Sequence, residues 1–363
     1  MCVVVGARPN FMKLSPVVHE LRRRDRHVVL VHTGQHYDSA MSAVFFEELG
    51  LPPPDVNLEV GSGSHAEQTA RVLVAFERVC EEVRPSIVVV GGDVNSTLAC
   101  ALTAAKLRIP VAHVEAGLRS FDRSMPEELN RVLTDHLTDL LFTTEPSANE
   151  NLAAEGIAAA KVRYVGNCMI DSLRAHLERA VAREPWRRFG LEPAGYGLVT
   201  LHRPSNVDDE RRFSEIATVL GRIARRLPLL FPVHPRTIQR AAASGIVLDG
   251  VSVVEPLGYL DFLGLMARAR LVLTDSGGIQ EETTALGVPC LTLRDNTERP
   301  VTIHEGTNRL VGVRAETVLA AVDETLAGGG SAGRVPALWD GRAAERVVDA
   351  LDRFLEQRQG ATE

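Results

Sequence analysis

The sequence lacks two features that would place it with nucleic-acid or membrane proteins. Lysine and arginine total 40 against 47 aspartates and glutamates, so the formal net charge is −7. A protein that binds nucleic acid is expected to carry a basic excess. No apolar run approaches the roughly 18 residues that a membrane-spanning helix needs. The composition therefore predicts a protein that binds neither nucleic acid nor membrane.

Cysteine is scarce, and the spacing of its five residues excludes a C-x-x-C redox or metal motif. An odd number of dispersed cysteines is typical of buried, reduced thiols in a cytosolic protein. The chain begins almost directly with the apolar run 2–5, and no charged segment followed by an apolar one suggests a signal peptide. We therefore expect a cytoplasmic location.

Motifs of metal-dependent and nucleophilic enzymes are incomplete or missing. His32 and His36 have HxxxH spacing, but Gly34 lies between them at the end of a predicted strand, so they would not share a helix face. The H-x-E of zinc deaminases occurs at 113–115 without its P-C-x-x-C partner. The sequence also has no D-x-D pair, and no G-x-S-x-G stands between a predicted strand and a helix, as a nucleophile elbow requires. We predict chemistry that needs no metal.

What the sequence does contain is a regular series of short, valine-rich apolar runs. They occupy 2–5, 27–31, 86–90, 111–114, 140–142, 162–165, 197–201, 229–233, 251–254, 271–274, 290–293 and 309–313. Runs without polar alternation are typical of parallel strands that helices cover on both faces. Between them lie amphipathic stretches such as 65–83, whose apolar residues recur with helical spacing. The pattern predicts βαβ units, and 363 residues suggest about two domains.

Several predicted strands end in a polar cluster. The clusters stand at 6–10, 33–36, 91–93, 115–117, 202–204, 234–236 and 275–278. In doubly wound folds the ligand lies outside the carboxyl ends of the strands. Because both halves carry clusters, we expect two Rossmann-like α/β domains that face one cleft. We expect the N-terminal domain to span 1–168 and the C-terminal domain 169–341, while the final helix, within 342–363, could pack on either.

The segment 274–282 predicts a phosphate site. An apolar strand runs into Asp-Ser-Gly-Gly, and a helix follows. Glycines allow a phosphate to approach the backbone, and free N–H groups at a helix start bind anions. We expect Ser276, Gly277 and Gly278 to contact phosphate and Glu282 to accept hydrogen bonds from a ribose. The alternative is a tight turn with an N-cap serine.

A second strand–turn–helix segment stands at the start of the chain. Pro9 suits a first helical turn, and Arg8 and Lys13 could contact an anion in the cleft. The alternative is a capped helix whose basic side chains face solvent.

Three carboxylates are candidates for proton transfer. Asp93 and Glu115 each follow an apolar strand, and Glu127 opens a helix. Carboxylates grouped around one cleft repel one another and lose solvent, which raises at least one pKa and suits acid–base catalysis. The alternative for Glu127 is that it offsets the helix dipole and pairs with Arg131 at i,i+4.

Taken together, these residues resemble the non-hydrolysing UDP-N-acetylglucosamine 2-epimerases over essentially the full length. The resemblance is carried by segments 6–9, 34–36, 92–93, 96–99, 113–119, 126–128, 130–131, 202–203, 275–282 and 297–300. It implies a glycosyltransferase-B-like fold, a homodimer, a UDP-sugar substrate, reversible epimerisation at C2, and no metal or nicotinamide cofactor.

The resemblance also implies roles for individual residues. It makes Asp93, Glu115, Glu127 and His202 catalytic. It assigns phosphate and ribose contacts to Arg8, Ser276, Gly277, Gly278 and Glu282. Further cleft residues are Lys13, Arg131, His234 and Arg299. The segments 35–38 and 202–206 depart from the family pattern, so activation by a second sugar nucleotide is not predicted.

Alternative functions remain open at this point. A sister group with the same motifs epimerises UDP-2,3-diacetamido-glucuronate, and a hydrolysing epimerase would release free N-acetylmannosamine. A glycosyltransferase of the same fold would need an acceptor. A non-catalytic sugar-nucleotide sensor is the alternative from another class, and it predicts the loss of acids that are present here.

Overall fold

The computed structural model describes residues 1–34, 39–233, 235–329 and 333–360, without the side chains of 8–9, 39–43 and 235–236. The chain forms two compact units. The first unit comprises Met1–Ala175 and Ala337–Glu363, and the second comprises His176–Pro336. No helix in the described ranges is long and apolar enough to cross a membrane.

The first unit is built on a sheet of seven parallel strands. In chain order these are β1 Cys2–Val5, β2 Val29–His32, β3 Val56–Asn57, β4 Val88–Gly91, β5 Val111–Ala116, β6 Leu140–Thr143 and β7 Val162–Tyr164. Their order across the sheet is β3-β2-β1-β4-β5-β6-β7, and all neighbours pair in parallel.

Helices connect the strands of the first unit. They are α1 Arg8–Arg23, α2 Ser39–Glu48, α3 His65–Val83, α4 Asn95–Lys106, α5 Pro126–Leu137, α6 Pro146–Ala154 and α7 Cys168–Ala182, whose last residues belong to the second unit. A 3-10 turn at Ala159–Lys161 precedes β7. The final helix of the chain, Ala343–Gly360, also belongs to the first unit.

The second unit has a parallel sheet of six strands. They are β8 Gly197–Thr200, β9 Leu229–Pro232, β10 Val251–Val254, β11 Leu271–Thr274, β12 Cys290–Thr292 and β13 Asn308–Leu310, in the order β10-β9-β8-β11-β12-β13. Its helices are α8 Pro204–Val207, α9 Glu210–Ala224, α10 Pro235–Ala243, α11 Tyr259–Ala267, α12 Gly277–Leu286, α13 Val301–His304 and α14 Ala315–Leu326, with a 3-10 turn at Pro185–Phe189. The final helix is therefore α15.

Both sheets have the doubly wound strand order, which confirms the predicted fold class. The first six strands of each unit follow the pattern 3-2-1-4-5-6 that defines a Rossmann fold. The order reverses between β1 and β4 in the first unit and between β8 and β11 in the second. Polar clusters follow all four of these strands, so they stand at the topological switch points where such folds bind ligands.

Local sequence explains why these elements form where they do. The strands β1 and β4 are fully buried, as their continuous valine runs require. Helix α3 begins with a capping box, in which the Ser64 side chain accepts from the Glu67 amide and the Glu67 side chain accepts from the Ser64 amide. The predicted helix 65–83 has the same bounds as α3.

One strand was not predicted from the sequence. The strand β3 has only two residues, Val56 and Asn57, and lies at the edge of the first sheet. Such a short strand has no detectable periodicity. Its existence depends on pairing with β2, which a local pattern does not report.

Candidate active site

Glu115 lies near the end of β5 in a conformation that costs energy. Its φ angle is 72°, in the left-handed region that a residue with a side chain rarely adopts. The pairing of β5 with β6 shifts register between Val114 and Ala116, which marks a bulge at Glu115. Bulges redirect side chains near active sites, and backbone strain collects at functional residues. The sequence prediction that Glu115 has a special role is consistent with this geometry.

A lysine from α1 neutralises Glu115. The Lys13 Nζ donates to Glu115 Oε1 at 2.8 Å, and both side chains are buried. A buried carboxylate is costly unless a cation and hydrogen bonds compensate it. Lys13, which the sequence suggested as an anion contact, is thus a direct partner of a candidate catalytic acid.

Asp93 lies at the end of the neighbouring strand and has its own cation. The Arg131 guanidinium donates to Asp93 Oδ2 at 2.5 Å, and Asn130 donates to the Asp93 backbone carbonyl at 2.9 Å. The Gly92 amide donates to the Val114 carbonyl at 3.0 Å. This bond joins the turn before Asp93 to the strand end that carries Glu115.

Two adjacent glutamates in the first turn of α5, Glu127 and Glu128, have different surroundings. Arg131 pairs with Glu128 at 2.9 Å, at spacing i,i+3, and among the described residues no ion pair joins it to Glu127. Glu128 also accepts from the amides of Ser120 and Phe121. Glu127 is half-buried, and its carboxylate is not used by this network. The alternative in which Glu127 serves as the partner of Arg131 is therefore not seen.

The side chains of two predicted anion contacts, Arg8 and His234, are not among those that the structure describes. Arg8 begins α1, at the switch point of the first unit, but its side chain is not among those described. His234 lies outside the described residues.

In the second unit, a fully buried aspartate organises the turn that carries His202. The Asp275 carboxylate accepts from the backbone amides of His202 and Arg203 at 3.1 and 3.0 Å, and from the side chain of Asn206 at 3.1 Å. Burial alone would raise the pKa of Asp275, but the charge and hydrogen bond of His202 and the other donors outweigh it and lower the pKa. Asp275 is therefore held as a carboxylate.

Asp275 also orients the imidazole of His202. The His202 Nδ1 lies 3.0 Å from Asp275 Oδ1, while 63% of the side chain remains exposed. A carboxylate that accepts from one ring nitrogen fixes the tautomer and leaves the other nitrogen for exchange with a ligand. Sequence reasoning selected His202 but not Asp275, although Asp275 is the first residue of the Asp-Ser-Gly-Gly motif that predicted the phosphate site.

No side chain in the described part of the chain caps the first backbone amides of α12. Ser276 occupies the N-cap position with extended backbone, and its hydroxyl makes no capping hydrogen bond. The N-cap alternative is therefore right about the position of Ser276 and wrong about its bond. Gly277 and Gly278 are the first two residues of the helix, where free N–H groups favour an anion.

Position 277 requires glycine for a steric reason that the sequence did not show. A Cβ at this position would collide with the Arg299 guanidinium and the Glu298 carboxylate. Arg299 is buried and pairs with Glu281 at 2.9 Å and with Glu298 at 2.5 Å. The glycine thus lets a compensated arginine approach the helix start closely.

Glu282 is buried on α12, near Tyr259 of α11. The Tyr259 hydroxyl donates to Glu282 Oε1 at 3.4 Å. The predicted contact of Glu282 with a ribose is not tested by this geometry.

Sequence reasoning missed several residues that the structure places in these networks. Asp135 lies four residues after Arg131 on α5, so helical spacing puts both on one face and could have identified it. His113 was considered only as a zinc signal, whereas it pairs with Asp135 at 2.7 Å. Among the residues that the structure describes, no group of three or more His, Cys, Asp or Glu could hold a metal ion.

Comparison with known proteins identifies the same family as the motifs. The family model of UDP-N-acetylglucosamine 2-epimerase matches residues 19–352. A UDP-N-acetylglucosamine 2-epimerase of Methanocaldococcus jannaschii is 45% identical over 336 residues, which cover 90% of this chain and 92% of that protein. A UDP-2,3-diacetamido-2,3-dideoxy-D-glucuronate 2-epimerase of Pseudomonas aeruginosa is 43% identical over 328 residues, covering 89% and 91%.

Solved structures agree with the sequence comparison. The M. jannaschii UDP-GlcNAc 2-epimerase, in complex with UDP-GlcNAc and UDP, has a TM-score of 0.91 at 43% identity and covers 97% of this chain and 99% of that one. The glycosyltransferase SnogD from Streptomyces nogalater, 16% identical with a TM-score of 0.52 and coverage of 95% and 93%, shares the fold alone. The matches confirm the family resemblance, and this chain belongs to the UDP-N-acetylglucosamine 2-epimerase family.

Proposed function

We propose that this chain interconverts UDP-N-acetylglucosamine and UDP-N-acetylmannosamine by exchanging the proton at C2. Family membership supports the substrate class. The observation that carries the chemistry is the pair of acids Asp93 and Glu115 at adjacent strand ends, each held by its own cation. Inversion at C2 requires acid–base groups on opposite faces of the sugar, and the first unit supplies Asp93, Glu115 and Glu127 for this purpose.

The proton at C2 is weakly acidic because no carbonyl is adjacent to it. Stretching the C1–O bond builds positive charge at C1 and makes the C2–H bond more acidic. A carboxylate then takes the proton while UDP leaves from C1 with the bonding electron pair, and 2-acetamidoglucal forms with a double bond between C1 and C2. UDP adds back to C1 as a proton returns to the opposite face of C2.

The departing diphosphate carries negative charge that must be stabilised as it develops. The second unit offers the uncapped amides at the start of α12, the guanidinium of Arg299, which lies close to Gly277, and the imidazole of His202, which pairs with Asp275. In this proposal Ser276, Gly277 and Gly278 bind the diphosphate and Glu282 binds the ribose. Arg8, Lys13, Arg131 and His234 are proposed as further substrate contacts.

Proton NMR in D₂O tests the proposal directly. The purified protein is incubated with UDP-N-acetylglucosamine alone, and UDP-N-acetylmannosamine with deuterium at C2 is the expected product. Release of free N-acetylmannosamine and UDP would show the hydrolysing reaction instead. An unchanged spectrum from folded protein would rule out this substrate.

A second substrate is favoured by a specific similarity. The P. aeruginosa relative named for UDP-2,3-diacetamido-glucuronate is 43% identical to this chain, close to the 45% of the M. jannaschii enzyme. Identity alone does not separate the two substrates. The ratio of kcat/KM for the two nucleotides, measured in the same NMR assay, decides between them.

We also propose that the protein is a cytoplasmic homodimer. An apolar groove of about 510 Å³ runs over the first unit between α3 and α5. We call it the α3–α5 groove, and its apolar lining residues are Ala66, Ala70, Leu73, Pro126 and Leu129. Val74 and Leu133 are also exposed, at 56% and 52%. A second copy of the chain would remove this apolar surface from water.

A further inference from the structure

Asp135 of α5 holds the backbone on both sides of the strained residue Glu115. Its Oδ1 lies 2.7 Å from His113 Nδ1, two residues before Glu115. Its Oδ2 accepts from the Gly117 amide at 3.0 Å, two residues after Glu115. His113 and Asp135 are both completely buried. One carboxylate therefore spans the bulge in which Glu115 takes its positive φ.

His113 extends this contact to the other candidate acid. Its Nε2 lies 2.8 Å from the Gly92 carbonyl oxygen. A carbonyl only accepts hydrogen bonds, so Nε2 must carry a proton and donate. Gly92 has a φ of 66° and directly precedes Asp93. The imidazole thus joins the turn before Asp93 to the carboxylate that spans Glu115.

The surroundings keep Asp135 ionised. Arg119 Nη1 lies 2.8 Å from Asp135 Oδ2, and Glu155 holds the same guanidinium through two bonds of 2.6 and 2.8 Å. Burial by itself would raise the pKa of Asp135, but the hydrogen bonds and charges of His113 and Arg119 outweigh it and lower the pKa. An ionised carboxylate cannot donate, so His113 Nδ1 must donate as well, and the ring carries both protons.

We propose that Asp135 is a positioning residue of the epimerisation, which fixes Glu115 and Asp93 together through the Gly117 amide and the His113 imidazolium. This inference rests on the proposed function. The left-handed conformation of Glu115 persists only where the surroundings over-determine it, and Asp135 contacts both flanks of that residue. Neither Asp135 nor His113 needs to touch the substrate.

The substitution Asp135→Asn tests the proposal because it keeps the size of the side chain and removes its charge. An amide cannot accept from His113, Arg119 and Gly117 together as a carboxylate does. A small displacement of reacting groups can cost about 10²-fold in rate. We expect kcat for C2 proton exchange to fall about 10- to 100-fold, while KM stays within about twofold, since substrate contacts are retained.

The same strand provides a matched control. Asp139 accepts from the Val111 amide at 3.0 Å, at the opposite end of β5. Asp139→Asn weakens a comparable bond between an aspartate and this strand, far from Glu115. We expect a smaller loss of thermal stability, because Asp139 is only half-buried, and an unchanged kcat. Equal effects of the two substitutions on kcat, or an effect of Asp135→Asn confined to KM, would overturn the proposal.

A measurement on the wild-type protein covers the case in which Asp135→Asn does not fold. In ¹⁵N-histidine-labelled protein, His113 is assigned by the signals that disappear in His113→Gln. We expect both of its ring nitrogens to be protonated. One unprotonated ring nitrogen would contradict the proposed contact. Wild-type protein that is inactive on both nucleotides would contradict the proposed function, and this spectrum would still test the role of Asp135.

Discussion

Two candidate acids of the first unit, Glu115 and Asp93, are each paired with a cation from another part of the chain. Lys13 and Glu115 are 102 residues apart in sequence, and Arg131 and Asp93 are 38 apart. Each pair brings an acid at a strand end together with a base on a helix. The positive charge of the partner offsets the negative charge of each acid.

Among single residues, Glu115 allows the strongest prediction. Glu115→Gln keeps the size of the side chain and an oxygen that can accept from Lys13. It removes the carboxylate that could take a proton. Because general acid–base catalysis contributes about 10²- to 10⁴-fold, we expect kcat to fall by that factor. The measurement is the rate of deuterium incorporation at C2.

A glutamate on the surface of α3 provides the control. Glu81 is exposed, so Glu81→Gln should leave the rate unchanged. Glu115→Gln protein that is folded and exchanges the C2 proton at the wild-type rate would exclude Glu115 from proton transfer.

Many single residues were selected from the sequence by their position after a strand. That position correctly marked Asp93, Glu115 and His202 as polar residues at strand ends. It did not identify Asp135, which lies within a helix, and Asp275 was not selected although it directly follows β11. Their importance follows from the atoms that surround them after folding.

The helix α5 shows what one element can organise. Along its length it carries Glu127, Glu128, Asn130, Arg131 and Asp135. The last four of these side chains contact the turn that follows β4, the loop at 120–121 and the bulge of β5. The sequence predicted that a helix begins here. The distribution of its contacts was not predicted, because it depends on which strands pack beneath it.

Asp171 of α7 attaches α15 to the first unit. The Asp171 carboxylate accepts from the first amides of this helix, at Ala343 and Ala344, at 3.2 and 2.7 Å. Burial nevertheless raises the pKa of Asp171 to about 6, against the lowering effect of these two bonds. Between its ordinary value near 3.9 and about 6, the folded chain therefore binds a proton that the unfolded chain lacks.

This difference predicts a dependence of stability on pH. The contribution of Asp171 is fully present below about pH 4 and is lost as the pH rises through 6. In urea unfolding, the stability of wild type relative to Asp171→Asn should fall between pH 4 and 7, by up to about 3 kcal/mol.

Asp340 provides a control of opposite sign in the same region. A hydrogen bond from Arg346 lowers the pKa of Asp340, so its contribution is already complete above pH 5 and is lost only as the solution becomes more acidic. The charge of Asp340 also helps to raise the pKa of Asp171, so the comparison of wild type with Asp340→Asn should change much less between pH 5 and 7 than the comparison with Asp171→Asn. Parallel curves for wild type and Asp171→Asn would contradict the predicted role of Asp171.

At the scale of the whole molecule, the exposed apolar face of the first unit predicts association. If the α3–α5 groove and the exposed Val74, which follows the lining residue Leu73, form the dimer interface, an unpaired charge at Val74 should weaken the dimer about tenfold or more. Light scattering of Val74→Asp should then show a mass approaching the 39.5 kDa of one chain at concentrations where wild type has twice that mass.

Another exposed valine gives the matched comparison. Val247, in the second unit, is 74% exposed, and Val247→Asp should leave the dimer intact. Dissociation by both substitutions, or a dimeric Val74→Asp, would place the interface elsewhere. Monomeric wild-type protein would contradict the proposed homodimer.

The sequence by itself determined the α/β class, the positions of most strands and helices, and the family. These properties follow from periodicity, capping residues and motifs, all of which are contained in short segments. Tertiary structure decided that Lys13 meets Glu115, that Gly277 makes room for Arg299, and that α15 joins the first unit. The physical reason is that each of these contacts joins segments distant in the chain, and their energies depend on burial and charge partners that exist only after the strands and helices have packed.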